Sequence, residues 1–169
     1  MMRFLAVNEC REWCRAHGVA LDEQDRPVFD PALTHRARLT YVEEPGHGIS
    51  VRSEVLAAIE DALGRWDECL LWVTLWGVWP SSENWPVYYG LRGNLGERRS
   101  LEEAPGHLAA GLGDRERLAT FLPLVLNHAW EGYVFAARGA VTYTRVFISH
   151  DEWVSLASRY PFALSAPAV

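Results

Sequence analysis

GYVFAARGAVTYTRVFI, residues 132–148, is the stretch that decides the fold class. Aromatic and β-branched residues crowd both sides of Gly139, the composition of two strands closed by a tight turn. A β-hairpin is therefore predicted, with Gly132 to Arg138 pairing to Val141 to Ile148. Upstream, Asp114 stands before Leu118, Phe121, Leu122, Val125 and Leu126, which fall on one face of a helix from about Arg115 to Ala129. Downstream, Ser149-His150-Asp151-Glu152 has Ser followed three residues later by Glu. That pattern is a capping box and predicts a last helix to about Arg159. The segment 161–169 then reads as an apolar surface tail.

Further out, Glu68 to Trp76 is apolar at nearly every position, as expected of a central strand covered on both faces. A helix from Ser50 to Leu63, stopped by Gly64, precedes it, and another from Glu83 to Leu91 follows it with Pro86 in its first turn. His35 to Val42 alternates Arg36 and Arg38 with Ala37, Leu39 and Tyr41, the pattern of a half-exposed strand. A first helix spans Glu9 to His17 between an Asn8 cap and a Gly18 stop, and a short strand fits Gly106 to Ala110. The architecture predicted is a single α+β domain over residues 1–169. Helices cover a mixed sheet of four or five strands, and the C-terminal hairpin is followed by a helix.

Charge and composition exclude several chemistries. All 16 basic residues among the 169 are Arg, so P-loop, Schiff-base and kinase-type lysines are absent. The net charge of −6 argues against a general nucleic-acid or anionic-membrane surface. No apolar run approaches the ~20 residues that span a bilayer, and the first residues lack the h-region of a secretory signal, so a cytoplasmic protein is expected. Three cysteines, with Cys10 and Cys14 one helical turn apart, read as reduced thiols. Cys10, Cys14 and His17 on one helix face can serve core packing, or a soft metal with Cys69 as a further ligand. Packing is the simpler reading, and no cofactor or metal is expected.

Three segments carry a resemblance: Trp76-Gly77-Val78-Trp79, Glu103-Ala104-Pro105-Gly106-His107 and Ser149-His150-Asp151-Glu152. Between about residues 67 and 155 the chain resembles a group of uncharacterised bacterial proteins with W-G-x-W, E-A-P-G-H and S-H-D-E segments. The resemblance implies a shared fold and carries no activity.

Two functional classes stay open. The first is a binding module for a protein partner, of which a toxin-neutralising, immunity-like protein is one version. Its surface would combine Trp79, Glu83, Trp85, Glu102 and Glu103, with aromatic anchors beside acidic groups that steer a basic partner. The second is a small-ligand protein or enzyme with a pocket at the strand ends. Glu103, His107, His150 and Asp151 would supply acid–base chemistry there, and Arg145 and Trp76 would contact the ligand. Arg145 shares a strand face with Tyr143 and Phe147, so it needs either a carboxylate or an anionic ligand.

Overall fold

A computed structural model describes residues 2–28, 30–41, 48–77, 85–164 and 166–167, side chains excepted at 48–52, 112, 166 and 167. Its elements run β1 (Arg3–Leu5), α1 (Val7–Ala16), β2 (His35–Thr40), α2 (Gly48–Leu63), β3 (Glu68–Leu75), α3 (Trp85–Asn94), β4 (Gly106–Ala110), α4 (Leu112–Asn127), β5 (Glu131–Arg138), β6 (Val141–Ser149), β7 (Trp153–Ser158) and β8 (Ala166–Pro167). The α+β class is as expected, and the sheet is larger than expected. Among the described residues eight strands lie in the order β1-β4-β3-β5-β6-β7-β2-β8, and each of their pairings is antiparallel, in place of the expected mixed sheet.

The hairpin forms as read, β5 against β6 with Tyr133 opposite Phe147 and Phe135 opposite Arg145. β3 sits between β4 and β5 and alternates its side chains between two cores. Cys69, Leu71 and Val73 pack toward α2 and α4, while Leu70 and Trp72 pack toward α1. A strand buried on both faces shows no polar alternation, which is why it reads as one apolar run.

The largest correction concerns Ser149-His150-Asp151-Glu152. It opens no helix. Ser149 pairs with Trp153, and the three residues between them form the loop of a second hairpin, with Glu152 in the left-handed region at φ 59°. The local chemistry is shared with a cap, because Ser149 Oγ accepts the Asp151 N–H at 3.1 Å. The residues after Glu152 decide the outcome: Trp153-Val154-Ser155-Leu156-Ala157-Ser158 alternates with period two, burying Val154 and Leu156 in the helix-side core.

Smaller corrections have similar causes. α1 begins at Val7, and its first turn is closed by the Glu9 carboxylate accepting the Ala6 N–H at 2.7 Å rather than by Asn8. α4 begins at Leu112, so Asp114 lies inside the first turn, where its carboxylate accepts the Ala110 N–H at 3.2 Å. In the 161–169 segment Pro161, Ala163 and Leu164 are exposed, Phe162 reaches into the core, and Ala166 and Pro167 pair with Arg36 and His35 as β8. Pro86 does occupy the first turn of α3.

The two faces of the sheet are covered unequally. α2, α3 and α4 pack one face along β4 to β7. On the other, α1 covers β1, β4, β3 and β5 through Cys10, Trp13 and Cys14 against Leu70, Trp72 and Phe135. The same face of β7 and β2 has no helix over it among the described residues; at β6 the C-cap residue of α1, His17, accepts the Thr142 N–H at 2.9 Å and the Val28 carbonyl accepts from Arg145 at 2.7 Å.

Candidate functional site

That uncovered face is built by strand alternation. Inward residues Ala37, Leu39, Val146, Ile148, Val154 and Leu156 pack against the helix-side core. Their neighbours along the chain therefore point outward, and cross-strand register sets Arg145 beside Ala157, Phe147 beside Ser155, and Arg38 beside Ser155. The result is a groove of about 310 Å³ whose lining includes Arg36, Arg38, Arg145, Phe147 and Trp153, and no acidic residue.

Within the groove the cations are placed by aromatic and backbone contacts. The Arg38 guanidinium lies 4.0 Å from the centroid of the Trp153 ring, a cation–π distance. Arg145 donates to the Val28 carbonyl at 2.7 Å and lies 5.0 Å from the Tyr133 ring. Arg36 donates from Nε to the Leu33 carbonyl at 3.1 Å. Among the described residues no carboxylate comes within ion-pair distance of Arg38 or Arg145. Phe147 stands between two rings, 5.0 Å from Tyr133 and 5.2 Å from Trp153. Burial lowers the Arg145 pKa and raises that of Tyr133, yet a guanidinium stays charged at any ordinary pH. Of the two alternatives for Arg145, the one requiring a carboxylate is not met among the described residues.

The five residues expected to share a pocket do not converge. His107 is fully buried on the helix side of β4 and Arg145 is on the opposite face of the sheet. Three strand spacings, roughly 14 Å, separate the β4 row holding His107 from β6. His150 sits in the β6–β7 loop with Nδ1 3.1 Å from Glu131 Oε2 and Nε2 3.5 Å from Asp151 Oδ1, and Asp151 is exposed. Glu103 is exposed beyond α3, accepting the Ser100 N–H at 2.9 Å, which holds its carboxyl below the usual range. Trp76 packs partly against the helix-side core and not beside Arg145.

The buried histidine has a structural explanation. A carbonyl can only accept, so His107 Nδ1 carries the proton given to the Pro105 carbonyl at 3.1 Å, and Nε2 accepts the Tyr88 hydroxyl at 2.6 Å. Phe4 and Phe121 close around the ring, and burial pushes its pKa down to about 3. The neighbouring Gly106 has its own reason: a Cβ there would come within 2.3 Å of Cys10 Sγ and 2.9 Å of Leu5 Cβ. The Ala104 carbonyl accepts from the fully buried Arg92 at 2.9 Å. The segment Glu103 to His107 thus ties β1, α1 and α3 to β4.

The acidic–aromatic patch is described only in part. Trp79 and Glu83 lie outside the described residues. Trp85 is half-buried, 5.0 Å from the Trp130 ring, and Glu102 and Glu103 are exposed. The cysteines cannot form one metal site, because Cys10 and Cys14 are in the α1-side core while Cys69 is in the helix-side core. Burial raises all three thiol pKa values, that of Cys14 to about 12. Among the described residues no cluster of three His, Cys, Asp or Glu has metal-site geometry.

Sequence reading singled out Arg145, placed Arg36 and Arg38 only as the polar side of a half-exposed strand, and missed the groove. The available signal was Arg at i and i+2 in one strand together with Arg and Phe at i and i+2 in another. The β2–β7–β6 pairing that joins them crosses more than a hundred residues of chain. No described helix is long and apolar enough to cross a membrane. Compared with models of protein families, with curated proteins and with solved structures, the chain matches none.

Proposed function

We propose that this protein is a binding module, not a catalyst, and that it takes the anionic group of its partner in the groove on the uncovered sheet face. One observation carries the reading: two guanidiniums, Arg38 and Arg145, face an aromatic-walled groove with no carboxylate among its lining residues. Arg145 is a half-buried cation without a counter-ion among the described residues, which costs desolvation energy and is the arrangement expected where a ligand supplies the negative charge; Arg38 adds an exposed second positive charge. Among the described residues the groove's lining holds no base or nucleophile beyond Ser155, which favours holding a ligand over transforming one.

The test is titration with inorganic pyrophosphate, followed by NMR of the arginine side chains and indole N–H groups. Expected shifts centre on Arg38, Arg145 and Trp153, and Arg38→Glu abolishes them. Shifts centred elsewhere and unaffected by Arg38→Glu, or no binding at all, would overturn the reading.

A further inference from the structure

Resting on that anion-binding reading, we infer that the groove is a docking surface for an acidic segment of another protein, two of whose carboxylate side chains take Arg38 and Arg145 separately. The state of each guanidinium, the distance between them and the charge of the whole chain narrow the partner to this class.

Arg38 is a prepared donor. It is exposed, its guanidinium lies 4.0 Å from the centroid of the Trp153 ring, and among the described residues no group accepts from its N–H donors. The ring occupies one side of the guanidinium and leaves its other donors to solvent. A carboxylate binds such an edge through two parallel hydrogen bonds and needs no aromatic face of its own. Held on the ring, the side chain has less rotamer freedom to lose on binding.

The two cations call for two anions. Arg38 on β2 is level with Ser155 and Phe147, while Arg145 on β6 is level with Ala157 and Arg36. Two strand spacings and two residue rises set their Cα atoms roughly 12 Å apart. Arg38 leans on Trp153, whereas Arg145 leans toward Tyr133 and the Val28 carbonyl. Acidic side chains at separate positions of one protein segment can meet both.

The floor of the groove admits side chains. Between the cations β7 presents only Ser155 and Ala157, two small residues. β7 already has a partner strand on each side, so the partner adds no strand there and reaches the groove by its side chains.

Global charge favours protein over nucleic acid. With a net charge of −6, the field away from the groove repels a polymer whose every unit is negative. A protein can set two carboxylates in the groove and place cations around them, opposite the acidic remainder of this chain.

The experiment selects a random twelve-residue peptide library on the full chain and measures the recovered peptides by fluorescence anisotropy. A dT12 oligonucleotide and inorganic pyrophosphate are the comparison ligands. Recovered peptides are expected to be enriched in paired Asp or Glu. Arg38→Glu should weaken them about tenfold or more, and Arg in place of one peptide carboxylate should restore binding to that variant. Arg38→Lys, which keeps the charge and loses the fork, should weaken them about fivefold. Arg98→Glu, at an exposed position outside the groove, should change nothing. Unfolding midpoints of every variant separate loss of binding from loss of fold. Peptides without acidic enrichment, or indifferent to Arg38→Glu, would overturn the protein assignment, and the anion reading would stand if pyrophosphate still binds at Arg38. A dT12 affinity above that of the best peptide would replace protein by nucleic acid. Absence of both peptide and pyrophosphate binding would remove both readings.

Discussion

The two halves of the sheet are made of the same kind of strand and end in different chemistry. Around β3 and β4 both faces are buried, and the strands are spent on packing: Leu70, Leu71, Trp72 and Val73 are all in the core. Around β6, β7 and β2 only one face is buried, and the other carries arginines and half-exposed rings. Function is free to occupy only the half that stability does not need. The same contrast separates the two histidines of interest. His107, in the closed half, has both ring nitrogens satisfied and no access, while His150 is in a surface loop beside Glu131.

The contrast can be broken most directly with two phenylalanines on the same sheet face. Phe135 is fully buried under α1, and Phe135→Ala is expected to cost about 4 kcal/mol of unfolding free energy in a urea titration. Phe147→Ala, on the open half, should cost about 2 kcal/mol, because that ring is only partly buried and no described helix lies over it. Equal losses would show that both halves are core. The next effect concerns backbone approach. Gly106→Ala places a Cβ against Cys10 Sγ and Leu5, so α1 and β1 must move, and a loss of about 3 kcal/mol is expected. Little change on denaturation would mean that α1 packs less closely than described.

The third test uses acid. The unfolded chain binds a proton at His107 near pH 6.5, whereas the folded chain refuses it until about pH 3. Stability from this group is complete above pH 6.5 and is lost as the pH falls, by about 1.4 kcal/mol per pH unit through that window. Wild type and His107→Gln compared by thermal unfolding from pH 7 to pH 4 should therefore differ in slope, with the variant flatter. Parallel curves would place His107 in contact with solvent. The smallest effect has the opposite sign. Arg145→Met removes a desolvated cation that has no carboxylate partner among the described residues, and stability should stay level or rise by about 1 kcal/mol. A marked loss would make Arg145 a structural clamp on the Val28 segment and weaken its role as a ligand contact.

Legibility followed the same division. The β5–β6 hairpin, the buried stripe of α4 and the apolar β3 were readable because each pattern is complete within a short window. The capping-box misreading at Ser149 shows the limit: Ser Oγ accepting an N–H two residues on is common to a helix start and to this hairpin loop, and only the period-two run after Glu152 separates them. His107 looked like chemistry because a histidine beside Pro-Gly is conspicuous in a sequence, and its burial comes from Phe4, Tyr88 and Phe121, residues from three distant elements.

By itself, then, the sequence determined which residues alternate, which runs are apolar, where Gly18 and Gly64 stop helices, and that every cation is an arginine. These are local properties, set by backbone geometry and side-chain solubility. Tertiary structure alone decided that β2 pairs with β7, that no described helix lies over β7 and β2 on the α1 side, and that Arg38 and Arg145 therefore line one groove without a carboxylate among its lining residues. Register and coverage are settled by the total burial of the whole chain, a sum that no single window of sequence contains.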